Sequence, residues 1–181
     1  MPFTPYHFGP GLLLKAVFPL RVSALAYCAT QVAIDLEPGY YMFIAPEAPV
    51  HRGLHTLLGA AFVGLAVGGA VAGFGIAQRR LAWRRRRRSR PMAPALQGEL
   101  APGSAILGGI VGGLLHIALD AIMHSYLRPL RPFCSGDGSW GNPLAGAVSL
   151  ETLHLGCVVA GAIGLLGLFV RVSLVTRLPR R

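Results

Sequence analysis

Apolar positions along the chain gather into runs rather than alternating with polar ones. From Leu57 to Ala77, from about Ile106 to Tyr126 and from Leu144 to Val170, apolar and small residues follow one another almost without a charge. Each run approaches the roughly 20 residues that a helix needs to cross a bilayer. Two shorter runs come first. Thr4-Pro5 opens a helix that continues through Leu12-Leu-Leu-Lys-Ala-Val-Phe and stops at Pro19, where the ring removes a backbone donor. A second helix runs from about Val22 to Ile34 and ends in Asp35-Leu-Glu37-Pro38-Gly39. Each is too short for an ordinary span. Either the pair dips into the membrane as a hairpin, or the second is a short crossing with Lys15 and Arg21 left inside. Residues 38–50 are Pro-rich and carry Tyr40, Tyr41 and Phe43, as expected of a loop at a membrane interface.

The pattern predicts an all-α, multi-pass membrane helical bundle with about three long spans and a short N-terminal helical pair. At 181 residues the chain is one domain, 1–181, with an Arg/Pro-rich linker over 78–103. Composition agrees: 53% hydrophobic, 13% charged and a mean hydropathy of +0.54 lie outside the ordinary soluble range. No basic stretch precedes the first apolar run, so no cleaved signal peptide is expected. Small residues recur four apart at Gly64 and Gly68, Gly69 and Gly73, Gly108 and Gly112, and Gly109 and Gly113, a spacing that lets helices pack closely in lipid.

The net charge of +10 changes the picture through its placement. Eight of the 17 basic residues fall between Arg79 and Arg90, and four between Arg171 and Arg181. Both clusters follow apolar runs, where cytoplasmic anchoring charges belong and where anionic lipid headgroups are met. No aromatic interleaving or binding module accompanies them, so nucleic acid is not an expected partner, whereas membrane lipid is. The rule that places basic segments in the cytoplasm puts residues 78–103 and the C-terminus there, in an inner membrane. His51, His55, His116, His124 and His154 then share the opposite half. Of the seven acidic residues only Glu99 falls clearly on the arginine side. The three cysteines form no framework: Cys28 and Cys157 read as small buried hydrophobes, and Cys134 stands in a loop.

Candidate chemistry concentrates in this sorted set. His116, Asp120 and His124 lie four apart and are expected on one helix face inside an apolar span, where ionisable groups are costly and turn toward a bundle interior or wet cavity. Imidazole and carboxylate at that spacing could hold a metal; hydrogen bonds to neighbouring helices are the plainer alternative. His51 and His55 stand four apart at the mouth of the first long span. Arg52 between them points elsewhere, either to an anionic substrate group or to the headgroups. Asp35 and Glu37 do not share a helix face, so one is expected to reach the site while the other hydrogen-bonds a ligand histidine or faces solvent. His7 lies in the first turn of its helix. Glu151 and His154 face alike early in the last run and could contribute a ligand or a general base.

The order His7, Asp35-Leu-Glu37-Pro, His51-Arg-Gly-x-His55-Thr56, His116-x-x-x-Asp120 and Pro129-Leu-Arg-Pro-Phe133 resembles the bacterial inner-membrane metal-dependent hydrolases of the YdjM type, over roughly residues 1 to 145. That family carries an N-terminal His, a Pro-Asp-x-Asp element, His-Arg-Gly-x-Thr-His-Ser and a His-x-x-x-Asp helix before a Pro-rich loop. Here Ile34 replaces the first Pro, Glu37 the second Asp, and His55-Thr56 reverses the Thr-His pair. The resemblance implies a membrane-embedded hydrolase with one or two divalent ions, most plausibly zinc. Its expected ligands are His7, Asp35, His51, His116 and Asp120, with His55 and His124 as ligands or their supports. Glu37 or His154 would handle the proton, and an ester or phosphoester, lipid-linked where the site is sunk in the membrane, would be the substrate. The alternative is a non-enzymatic membrane protein that binds metal or serves as an assembly partner.

Overall fold

The computed structural model describes residues 5–45, 50–84, 94–134 and 141–177. Among these every regular element is helical: a 3-10 turn at Pro5–His7, then α1 (Phe8–Val17), α2 (Ala24–Ile44), α3 (Leu57–Arg84), α4 (Pro94–Glu99), α5 (Pro102–Met123) and α6 (Leu150–Arg177). Helices α3, α5 and α6 are long and apolar enough to cross a membrane. The arginine run over 85–90, Asp137 and the residues from 178 onward lie outside the described segments.

Two expected boundaries move, while α3 starts at Leu57 as expected. α2 does not stop before Pro38 but continues through it for a further turn and a half to Ile44. Tyr40, Tyr41 and Phe43 therefore stand on a helix rather than in a loop, and Phe43 is 81% exposed. Pro38 itself is buried, so tertiary packing overrides the local preference to break there. At the other site-bearing helix, α5 ends at Met123 and His124 takes extended dihedrals as its C-cap. His51 and His55 precede α3 in a turn, with Thr56 accepting from the Gly59 amide at 3.0 Å as the helix starts.

Close packing uses the small residues selectively. A Cβ on Gly64 or Gly109 would run into the backbone of the other helix, and one on Gly113 would meet the Ala60 carbonyl, so α3 and α5 lie against each other antiparallel with little side chain between them. Gly108 instead admits Ser23, the N-cap of α2, and Gly112 admits Tyr27 and Thr30 of α2, which runs parallel to α5. Gly69 and Gly73 meet no neighbour. α6 keeps company mainly with α1, where Gly9 approaches Cys157 and Gly164 approaches Leu12. Only 11% of the apolar window of α6 is buried, against 44% for α5. Its apolar outer face is what lipid would cover.

Lys15 and Glu99 pair where α1, α2 and α4 meet. Lys15 also donates to the carbonyls of Pro19 (2.7 Å) and Val22 (3.0 Å). Glu99 accepts from the Ser23 hydroxyl (3.0 Å) and the Leu25 amide (2.9 Å). This polar knot closes the arginine end of the bundle. Arg21, by contrast, is exposed.

Candidate metal centre

At the opposite end the same helices bring histidines and carboxylates together. Two groups form: His7, Asp35 and His116, and His51, His55 and Asp120, each with one ligand atom per residue within 4.8 Å of the others. Either could hold a metal ion. His116 and His55 are 0% and 1% exposed, and His7, Asp35 and Asp120 are also buried.

Helix geometry explains the convergence. One turn separates His116 from Asp120 on α5, so both face inward. α2, running alongside, brings Asp35 to within 3.5 Å of the His116 Nε2. The turn before α3 delivers His55, and the 3-10 turn before α1 delivers His7. Asp120 is the hub: its Oδ1 lies 3.4 Å from His7 Nε2, and its Oδ2 lies 3.4 Å from His116 Nε2 and 3.6 Å from His55 Nε2.

Outer partners set the imidazole orientations. The Glu37 carboxylate accepts from His55 Nδ1 at 2.9 Å, and also from the amides of Arg52 (2.9 Å) and Leu54 (3.1 Å). A carboxylate only accepts, so the proton of His55 sits on Nδ1 and its Nε2 presents a lone pair. Gln31 does the same for His116: its Nε2 donates to the Gly112 carbonyl at 3.0 Å, which leaves Oε1 to accept from His116 Nδ1 at 2.7 Å. His51 Nδ1 is 3.1 Å from the Tyr126 hydroxyl. Ligating histidines in metalloproteins are commonly tied in this way through their second nitrogen.

The inward nitrogens are left without partners. His7 Nδ1 and Nε2, His55 Nε2 and His116 Nε2 are buried and make no hydrogen bond. Each such atom costs about 1–3 kcal/mol if nothing satisfies it. Their separations from carboxylate oxygens, 3.4–3.6 Å, exceed the 2.7–2.9 Å or so of a charge-assisted hydrogen bond. They match instead the edge of a coordination tetrahedron: ligands about 2.1 Å from an ion stand about 3.4 Å apart. At His55 and His116, a lone pair on Nε2 facing a carboxylate at that distance repels it unless a proton or a metal cation lies between them. The donor set of imidazole nitrogens and carboxylate oxygens suits a borderline divalent ion such as zinc. The residues present fit the group.

The remaining expected residues are placed less centrally. His124, off the end of α5, does not continue the face of His116 and Asp120. Its ring lies 5.1 Å from that of His51 and 5.3 Å from that of Tyr126. Asn142 accounts for the early ending, since its amide takes the carbonyls of Ala121 and His124 at 2.9 Å each. His154 stacks on Tyr6 with ring centroids 4.1 Å apart, and its Nε2 is buried without a partner. Glu151, one turn earlier on α6, is exposed. Glu37 takes the supporting place, with both oxygens engaged. Outside the spans, burial and then the neighbouring His55 lower the His51 pKa to about 4. Burial lowers that of His124 as well. His51 is therefore a neutral imidazole at neutral pH, the form that binds metal.

Gln31, Tyr6 and Tyr126 are the partners that sequence reasoning passes over. Gln31 stands alone in an apolar stretch, and a lone buried amide inside a helix is the signal that could have drawn attention to it. No family model matches the chain, and no curated protein or solved structure shows significant similarity to it.

Proposed function

We propose that the chain is a membrane-embedded, metal-dependent hydrolase whose centre would hold two divalent cations such as zinc. His7, Asp35 and His116 would hold one ion. His51, His55 and Asp120 would hold the other, and the Asp120 oxygens also lie near His7 and His116 of the first group. The observation that carries this reading is the set of unpartnered histidine nitrogens standing one tetrahedral edge from carboxylate oxygens. Bound ions of this type supply Lewis acidity and bring the pKa of a water down to about 7.

The chain's own residues do the rest. Glu37 and Gln31 hold the His55 and His116 rings in the tautomer that points Nε2 inward. His154, whose Nε2 is buried and unpartnered beside Tyr6, takes the proton released when water attacks an ester or phosphoester. The resemblance in motif order to YdjM-type hydrolases supports the same class. The basic segments after α3 and α6 lie in the cytoplasm, which opens the site to the outer face of an inner membrane. A carrier would need a polar route to both sides. Among the described residues, Lys15 and Glu99 at the arginine end are instead knotted together, which favours a one-sided site.

The test is metal analysis of detergent-purified protein followed by an ester and phosphoester panel in lipid. The reading expects two ions per chain and turnover that chelator abolishes. Two ions without hydrolysis of any panel member would reduce the protein to a metal-binding or fold-stabilising role.

A further inference from the structure

A cleft of about 770 Å3 opens directly over the second group of ligands. His51 and His55 line it together with Arg52, Arg128, Arg131 and Tyr126. Three guanidinium groups around one opening are far more than headgroup anchoring at a single helix end requires. They are also held on rigid supports. Arg52 lies over the Tyr41 ring at 4.2 Å, and its own amide is bound by Glu37, the carboxylate that orients His55. The Pro129 carbonyl accepts from the Leu57 amide at 2.9 Å, which ties the segment bearing Arg128 and Arg131 to the start of α3. Beneath them, the His55 Nε2 is buried and unpartnered.

We propose that this cleft binds a phosphate group, with the three arginines gripping its outer oxygens while an inner oxygen reaches the ion held by His51, His55 and Asp120. The proposal rests on the metal-centre reading and names its substrate class. Guanidinium forks match phosphate oxygens in pairs, and a cation beneath completes the charge balance of a dianion. Three guanidinium groups around one cleft attract a phosphate anion far more strongly than a neutral carboxylic ester, so phosphate compounds are preferred to it. Tyr40, Phe43 and Ile44 near the end of α2 and Leu58 at the start of α3 are exposed, as residues at a lipid interface would be, so the phosphate can belong to a lipid or come from solution.

Cobalt(II), a spectroscopically visible surrogate for zinc, separates the two layers of the argument. Full-length protein in a neutral maltoside detergent is loaded with cobalt, and its visible absorption reports occupancy. Inorganic phosphate and short-chain phosphatidic acid are then titrated while 31P relaxation reads their approach to the ion. The proposal expects saturable relaxation by phosphate, weakened at least tenfold in the double variant R52Q/R131Q while the cobalt spectrum persists. Both side chains are exposed, so the fold should survive, and R131Q alone gives an intermediate loss. Tenfold tighter binding of phosphatidic acid than of phosphate marks a lipid source, and equal binding marks a soluble one. Bound cobalt with no phosphate relaxation, or relaxation indifferent to the arginines, overturns the proposal and leaves the metal centre standing. Failure of cobalt to bind overturns both.

Discussion

The two ends of the bundle carry buried ionisable groups in opposite states. At the arginine end, Lys15 and Glu99 are paired, and every further contact is filled by a backbone carbonyl, a hydroxyl or an amide. At the other end, four histidines gather around Asp120 and Asp35, and the inward nitrogens of His7, His55 and His116 make no hydrogen bond. The first cluster is complete as protein alone. The second leaves inward nitrogens that the protein does not satisfy, in groups that could hold a metal ion. Burial therefore does not by itself separate a structural knot from a site; saturation of the donors and acceptors does.

The largest expected difference comes from removing one charge at each end. Asp120→Asn keeps the side-chain shape but takes the shared anion from both groups, so both ions should be lost, with affinity falling more than about 100-fold. Elemental analysis after gel filtration reads this directly. Glu99→Gln should leave metal content unchanged while lowering unfolding stability by about 3 kcal/mol, because Lys15 keeps its charge without its partner. Metal loss in the Glu99 variant, or full occupancy in the Asp120 variant, would erase the contrast.

A smaller effect is expected one layer out. Gln31→Leu and Glu37→Gln each loosen a histidine without touching an inward ligand, and metal affinity should drop about 10–100-fold. Competition with a chromophoric chelator measures it. Gln31→Leu should weaken the group containing His116, and Glu37→Gln the group containing His55. Equal losses at both would mean that the groups do not act as separate sites.

Much of this contrast can be read along the chain, and the unread part has identifiable causes. Three long apolar runs announce α3, α5 and α6, because bilayer thickness sets a length that composition displays directly. The sorting of histidines and carboxylates away from the arginines marks one end as the site. The split between Asp35 and Glu37, one facing inward and one holding a histidine, follows from helical angles that two residues' separation imposes. Pro38 misleads, since a local breaking tendency loses to packing of a buried residue within α2. His124 misleads for the reverse reason: four-residue spacing promises a shared face, but Asn142, distant in sequence, takes the carbonyls that end the helix. Gln31 and Tyr126 leave little local signal, because their role exists only once α2 lies beside α5 and the loop after α5 lies beside the turn before α3.

The smallest expected effect concerns pH in the metal-free protein. His51 ionises near 4 in the fold but near 6.5 in an unfolded chain. Between those values the unfolded chain takes up a proton that the folded one refuses. Its share of stability is therefore whole above about pH 6.5 and is lost as pH falls toward 4. Denaturant midpoints of the apo protein should decline across that window, and His51→Asn should flatten the decline. Glu99→Gln should leave its slope unchanged.

Anomalous scattering at the zinc edge from metal-loaded crystals bears most directly on the central claim. Two peaks are expected about 3.5–4 Å apart on either side of Asp120. One should lie about 2.0–2.2 Å from ligand atoms of His7, Asp35 and His116, the other at the same distance from His51 and His55. No peak between these side chains, with the inward nitrogens of His55 and His116 hydrogen-bonded to water or protein, would contradict the account.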